Sequence, residues 1–589
     1  MKDAPLRRLL MVALAAIWLS ACTQSTPTPN ANALAEFPAR ARTVGRRGGT
    51  VTYRLIAPPK TFNYVMAQDE STNVVAFFLL AGRLVEFDHD RQTYVASLAE
   101  SWQLGADGRT VEVTLRDGLK FSDGQPLTSE DVAFTLRALY DERVASPLWG
   151  EAMSVGGKHI EMVITDARRF RFTFPEQIAM PENYLSNMAV MPRHVLEDKL
   201  KAGTFKDAYG IASDPQQIVT AGPFVPAASV PGERATFRRN PYYWKRDEAG
   251  NQLPYLDELI LVVVPDANNT LTQLQQGTVD IFDRIPPSGL AALKNAQGSI
   301  RALDLGPSLY ADDIWFNQNE GARDGKPYVE PAKLAWFKDV RFRRAVSHAL
   351  DRENIAANTY QGLATPLYGF VTTGNRAWVA DDLPRTEYSL DKARALLQEA
   401  GFTMKGSGDA PELYDAKGNR VEFTLIVQAE NEQRAKSALV VQEDLSRLGM
   451  KVNVAPIETT QLISRINQTY DYEAVLFGTS VTEPDPSSYA DVLRSASPQH
   501  FWYPNQPKPL PDWQQRLDEL TAQQAHEPDP TRRRALFREI QVILSDQLPI
   551  IPIVTRHIAV AANTRLGNYR PSPLPPFSLW NAGELYVRQ

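Results

Sequence analysis

Residues able to do covalent or metal chemistry are sparse in this chain. Its 589 residues contain one cysteine, Cys22, and seven histidines. A single thiol excludes an intramolecular disulfide, a CxxC redox pair and any cysteine-rich zinc site. The histidines are His89, His159, His194, His348, His500, His526 and His557, and none has a second histidine or a cysteine three or four residues away. No helix therefore presents a histidine pair for a metal. His348 lies on an expected helix and reads as structural. There is no HExxH, GxSxG or Walker motif. Gly321-Ala322-Arg323-Asp324-Gly325-Lys326 is one residue short of the phosphate-loop spacing, and no Ser or Thr follows it. The 69 acidic residues leave a glycosidase-type carboxylate pair open, but no motif supports one. The expectation is a protein that is not an enzyme and carries no cofactor and no metal.

The lone cysteine has a telling position. Lys2, Arg7 and Arg8 are followed by the apolar run Leu9 to Leu19. That run is too short to span a bilayer as a helix but fits the core of an export signal. Leu19-Ser20-Ala21-Cys22 follows at once and resembles a bacterial lipobox. Residues 1–21 read as a lipoprotein signal peptide and Cys22 as the lipidation site. The expected location is exported and membrane-anchored, facing the periplasm or the cell exterior. Residues 22–47, rich in Thr, Pro, Ala and Asn, read as a flexible tether. Within it Arg40, Arg42, Arg46 and Arg47 are either solvated or in touch with anionic headgroups.

The remaining chain is long enough for several cores. With 43% apolar and 22% charged residues it has an ordinary globular composition, and no short period repeats. A formal charge of −6 argues against a nucleic-acid groove.

The elements alternate in type. Val51 to Ile56 opens the fold as a strand. Val111, Val113 and Leu115 alternate with Glu112 and Thr114, a half-buried strand. Thr128 and Asp131 have capping-box spacing before a helix bearing Val132, Leu136 and Leu139. Leu259 to Val264 reads as a strand, Thr270 to Gln276 as a helix and Val279 to Ile281 as a short strand. Phe342, Ala345, Val346, Ala349 and Leu350 form one helical face. Ala393, Leu396, Leu397 and Ala400 form another, with Ser389 as cap and Gly401 as stop. Residues 421–457 read as strand, helix and strand, a βαβ unit ended at its helix by Gly449. The class is α/β, or mixed α+β.

The order of several motifs resembles the family 5 extracellular solute-binding proteins of bacterial ABC importers, the oligopeptide- and dipeptide-binding type. The densest stretch is Leu98-Ala99-Glu100-Ser101-Trp102, Asp107-Gly108, Leu115 to Gly124, and Ser129-Glu130-Asp131-Val132. Ala221-Gly222-Pro223-Phe224, Arg239 to Trp244, Pro254 to Glu258, Gln276-Gly277, Val340 to Ala345 and Ala393 to Gly401 follow in order. The resemblance covers about residues 48–589. It implies a two-lobed, periplasmic-binding-protein-like fold with a subdomain inserted in the first lobe. Lobe I is expected at 48–88, 217–310 and 546–589, the inserted subdomain at 89–216, and lobe II at 311–545. It also implies a monomer that closes on a small-molecule ligand, a peptide or alternatively an oligosaccharide. Such a protein delivers its ligand to an ABC permease with its ATPase subunits. A hydrolase acting on the bound ligand is the lesser alternative.

The resemblance also supplies site expectations. Peptide-binding members carry Gly-Trp-x-x-Asp-x-x-(Asp/Glu)-Pro, whose first aspartate pairs with the peptide ammonium. Here the stretch runs Gly478-Thr479-Ser480-Val481-Thr482-Glu483-Pro484-Asp485-Pro486. Thr479 replaces the tryptophan and Thr482 the aspartate. Glu483 either substitutes for the missing acid or is a surface residue before a proline turn. The other candidate ligand-binding residues are Asn63, Tyr64 and Thr72 early in the chain, Trp315 and Asn317 near a lobe crossing, and Trp378, Asp485, Tyr489 and Trp502. For most of these aromatics, core packing is the competing reading.

Overall fold

The computed structural model describes residues 40–295, 298–406, 411–481 and 483–588. The leader, Cys22 and Thr482 lie outside the described residues.

The first core is built by strand β1 (Thr50–Leu55) and an antiparallel sheet beside it. β1 is covered on both sides by parallel neighbours, so even Arg54 is buried. Its guanidinium donates to the carbonyls of Val264 and Pro265, both at 2.7 Å. The antiparallel sheet contains β2 (Ala99–Leu104), β3 (Thr110–Leu115), β4 (Glu161–Ile164) and β5 (Arg169–Thr173), in the order β2-β3-β5-β4. Val111, Val113 and Leu115 point inward with Phe170 and Phe172, while Glu112 pairs outside with Arg171. Helix α1 (Ser129–Tyr140) begins where the Asp131 carboxylate accepts the Thr128 backbone N–H at 2.8 Å. Helix α2 (Pro181–Asn187) follows β5, with proline at its start, where a missing N–H costs nothing.

The chain then returns to the main sheet through β6 (Phe224–Val230), β7 (Arg234–Arg239) and β8 (Glu258–Val263), helix α3 (Ala267–Gln275), and β9 (Ile281–Asp283). β9 starts two residues later than expected. Asp280 is drawn off by Thr52 N–H at 2.9 Å and by Arg565 at 2.7 Å. The long strand β10 (Ile300–Phe316) leads to helices α4 (Val340–Ala349) and α5 (Leu390–Glu399). Then come β11 (Glu422–Gln428), α6 (Glu432–Ser446), β12 (Lys451–Ile457) and β13 (Ala474–Ser480). Helices α7 (Asp512–His526) and α8 (Pro530–Gln547) precede the last long strand, β14 (Ile550–Asn563). The sheet order is β6-β7-β8-β1-β9-β14-β10-β13-β11-β12. β11 and β12 are parallel, Glu422 opposite Lys451, as a βαβ unit requires.

Buried side chains sort into separate cores. One holds residues from Val51 to Ile281 and is completed by Ala562, Leu566, Leu579, Ala582 and Leu585. Two others hold residues from Ile314 to Val554. The antiparallel pair β10–β14 runs between them, from Ile300 opposite Asn563 to Trp315 opposite Ile550. Its register breaks between Asp304 and Ala311, around Gly306 and Pro307.

Residues 40–47 depart from the tether expectation. Arg40 pairs with Asp90 at 2.5 Å and donates to the carbonyls of Arg570 and Pro571. Thr43 N–H donates to the Asn568 side chain at 3.0 Å, and Asn568 returns a bond to Thr43 O at 2.8 Å. Arg42 reaches Asp88 and Glu584. Composition suggested a solvated segment; specific long-range partners make it a strap on the first core. Among the described residues no helix is long and apolar enough to cross a membrane.

Candidate functional site

The site lies where the segment after β13 meets Tyr94 (short strand Thr93–Ala96), which also bonds Asn183 of α2. β13 leaves the sheet at Ser480, and the chain turns into a short 3-10 helix, Pro486–Tyr489. Asp485 caps that turn by accepting Ser487 N–H at 2.9 Å. Its carboxylate also takes both ends of the Arg533 guanidinium from α8, at 2.6 and 2.8 Å. Both side chains are at most 3% exposed. Burial opposes the charge on Asp485, but the facing guanidinium outweighs it and holds the carboxyl below its usual range. Arg533 donates as well to Gln524 O at 2.9 Å and lies over the Trp378 ring. This pair fixes the turn to α7 and α8.

Glu483, two residues earlier, has no such partner. Among the described residues its hydrogen-bond contact is Tyr94 Oη at 3.3 Å, and no cation lies within ion-pair distance. Tyr94 carries one O–H and also faces Asn183 Oδ1 at 2.8 Å. The shorter bond has the stronger claim on that hydrogen, which leaves Glu483 a weakly held acceptor. Burial, and then the Asp485 charge, push Glu483 up to about 7. Burial and then Glu483 raise Tyr94 in turn.

The two sides touch nearby as well. Ala179 N–H donates to Ala525 O at 3.2 Å, and His526 approaches Glu176 at 3.6 Å. Met180 packs against the core of Trp378 and Phe537. Glu483 thus sits between the first core and the cores of the second half.

Of the expected residues, the structure brings together Trp378, Glu483, Asp485 and Tyr489. Tyr489 packs on Phe370 and Phe537 and accepts from Asn375 Nδ2 at 3.4 Å. The others lie apart. Asn63 caps Val65 and donates to Phe205 O. Tyr64 packs on Phe77 and Trp149. Thr72 bonds Lys60 N–H and Asp69. Trp315 stacks on Phe501 and Trp502 packs on His500. Asn317 donates to the carbonyls of Tyr470 and Tyr472. Tyr94, Asn183 and Arg533 carry the site and no sequence signal marked them. Among the described residues no group of three His, Cys, Asp or Glu is placed to hold a metal.

Residues 93–501 match the family described as bacterial extracellular solute-binding proteins, family 5. A probable ABC transporter-binding protein of Deinococcus radiodurans is 31% identical over 450 residues, 73% of each chain. The oligopeptide-binding protein AppA of Bacillus subtilis is 26% identical, with 86% of each chain covered. A periplasmic alpha-galactoside-binding protein of Rhizobium meliloti is 24% identical over 92% of this chain and 81% of its own. The structure of the substrate-binding protein CtaP of Listeria monocytogenes shares the fold, with a TM-score of 0.74 at 23% identity. It covers 92% of this chain and 100% of that one. The mixed α/β fold is that of periplasmic binding proteins, and no enzyme family is indicated. The chain belongs to the bacterial extracellular solute-binding proteins of family 5.

Proposed function

We propose that this chain captures peptides for an ABC importer, with Glu483 taking the ammonium that Thr482 is not equipped to take. The observation that carries the reading is a carboxylate held between two halves of the molecule, without a cation, beside a salt-bridged Asp485–Arg533 pair. An acid partly withdrawn from water, as Glu483 is, is costlier to ionise until a positive group arrives. A peptide ammonium supplies that group and ties the two sides together, so the ligand favours the closed state. Oligopeptide-binding relatives support the same reading.

In this reading residues 48–88, 217–310 and 546–589 form lobe I, 89–216 the inserted subdomain and 311–545 lobe II. β10 and β14 are the crossings, and the register break near Gly306 is the hinge. The protein is exported, anchored through lipid on Cys22, and passes its ligand as a monomer to the permease.

The alpha-galactoside-binding relative keeps an oligosaccharide in view. Sugar binding needs free aromatic faces, and Trp315, Trp378 and Trp502 are 4% exposed or less and packed on neighbours. Native mass spectrometry of the chain lacking residues 1–22 tests the choice. Co-purified masses forming a spread of peptides support capture of peptides. A ladder spaced by one sugar unit overturns it in favour of oligosaccharide.

A further inference from the structure

Tyr94 stands between two acceptors and has one hydrogen to give. Its hydroxyl lies 2.8 Å from Asn183 Oδ1 and 3.3 Å from Glu483 Oε2. Equally placed, an ionised carboxylate outcompetes a neutral amide, because charge-assisted bonds are shorter and about twice as strong. Here the lengths run the other way. The amide holds the nearer position and the acid the farther one, so the fold decides which acceptor is served.

Both partners of the shorter bond are fixed from behind. Tyr94 lies opposite Phe87 of the strand Val85–Asp88, and the two rings meet edge to face at 5.3 Å. A ring held this way keeps its oxygen in place while the hydrogen rotates. Asn183 sits in the first turn of α2, which Pro181 begins. Its neighbour Glu182 takes the indole N–H of Trp102, on β2, at 2.8 Å. Leu185 of the same helix is fully buried. A rotation of α2 that withdrew Asn183 would also draw Glu182 off Trp102.

The charged groups around this triangle are engaged elsewhere. Asp485, on the same turn as Glu483, is paired with Arg533. Arg83 lowers Glu483 from a distance, but its guanidinium lies over the rings of Phe77 and Phe78 and 4.0 Å from Glu86. Glu182 bears on Tyr94 and is bonded to Trp102. The Tyr94 hydroxyl is therefore the donor whose direction sets how strongly the protein itself satisfies Glu483.

We propose that Asn183 is a positioning residue of the ammonium site: it takes the Tyr94 hydrogen and so leaves the Glu483 carboxylate free for a ligand's cation. The identity of that cation rests on the peptide reading above; the division of the hydrogen between Asn183 and Glu483 does not. Without Asn183 the hydroxyl turns to the acid, and an arriving ammonium meets a carboxylate that already has a donor.

The first test needs no ligand. Proton uptake of the empty protein is titrated against that of its Glu483→Gln counterpart, and the difference gives the half-point of Glu483. The wild type is expected near 7. Asn183→Leu, with Asn183→Ala as a second removal of the acceptor, frees the hydrogen for the carboxylate. The half-point then falls by about one pH unit, the scale of one hydrogen bond to a charged group. Asn183→Asp keeps an acceptor in place and leaves the half-point at or above that of the wild type. In a Tyr94→Phe background, Asn183→Leu produces no shift, because there is no hydrogen to redirect. Thermal melts and circular dichroism confirm folding of each variant. A half-point unmoved by both removals, or a fall that persists in Tyr94→Phe, overturns the positioning role. Calorimetry with a tetrapeptide then follows affinity against pH, and Asn183→Leu is expected to carry its inflection down by the same step. If the half-points move as stated and the wild type binds no peptide, the positioning of the hydrogen stands and the peptide reading falls.

Discussion

Replacing Glu483 by glutamine keeps the size of the side chain and removes its charge. In the empty protein Glu483 is pushed from 4.5 up to about 7, by burial and then by the Asp485 charge. Tyr94 and the more distant Arg83 act the other way. A peptide ammonium binds the ionised form, so binding expels the proton. At pH 7 about half the empty molecules carry that proton, and binding releases about half a proton per peptide. At pH 8 the acid is mostly ionised and affinity is near its maximum. At pH 5.5 the proton must be displaced almost every time, which weakens binding about thirtyfold relative to pH 8.

Titration calorimetry reads both quantities. Measurements at pH 7 in two buffers of different ionisation enthalpy give the proton count, and a series from pH 5.5 to 8 gives the affinity slope. Glu483→Gln is expected to bind about 10- to 100-fold more weakly at pH 8 and to lose the slope. N-acetylation of the peptide produces the same loss in the wild type. A pH-independent affinity in the wild type, or a glutamine variant that binds equally well, refutes the argument. Stability of the empty protein moves in the opposite direction. The unfolded chain gives up this proton near pH 4.5 and the folded chain near 7, so stability falls as pH rises between them. The cost is no more than about 3 kcal/mol, less whatever the remaining solvent contact of Glu483 screens. Glu483→Gln therefore melts higher than wild type at pH 8 when both are empty.

Asp485→Asn leaves the Arg533 guanidinium buried without its acid and is expected to cost about 3–5 kcal/mol in urea unfolding; a loss under about 1 kcal/mol would falsify the anchoring role. At Gly478 an added Cβ falls 1.5 Å from Arg434 Nη2, so Gly478→Ala must displace the guanidinium from Asp312. A melting point within a degree of wild type shows that Arg434 finds another seat. Removing residues 1–47 is expected to destabilise the first core by about 2 kcal/mol relative to removing residues 1–39. The difference arises because only the longer deletion takes away Arg40, Arg42 and Thr43. Calorimetric scans that superimpose rule out a docked strap.

Local chemistry made much of the fold legible. Thr128 and Asp131 have the spacing to satisfy each other's backbone at a helix start, and α1 starts there. Gly401 and Gly449 end helical faces at positive φ, +87° and +76°, which other residues adopt at a cost. Alternation at 421–427 and 452–454 gave β11 and β12, and the helix between them made their pairing parallel. The strap was not legible, because its partners are far away in sequence. Arg40 meets Pro571 across 531 residues and Thr43 meets Asn568 across 525. Thr, Pro and Ala predict only that such a segment has no core of its own.

The candidate site came from the resemblance, and its chemistry was not legible in the sequence. The motifs that carry the resemblance serve their own surroundings. Arg116 donates to Ser97 O at 2.6 Å and lies on Trp244, and Asn240 holds Gly222 O at 2.9 Å. Such residues specify a frame, and any ligand compatible with the frame leaves them unchanged. In the proposed reading the ligand is distinguished by the charge presented between Gly478 and Tyr489, where two threonines stand in place of the family's indole and acid. A threonine carries no charge, so the sequence alone reads as a loss. Only the fold shows that Glu483 meets Tyr94 across 389 residues and that Thr479 turns its hydroxyl on Asp313. The acid missing at Thr482 is followed in sequence by Glu483, which has no cation within ion-pair distance among the described residues.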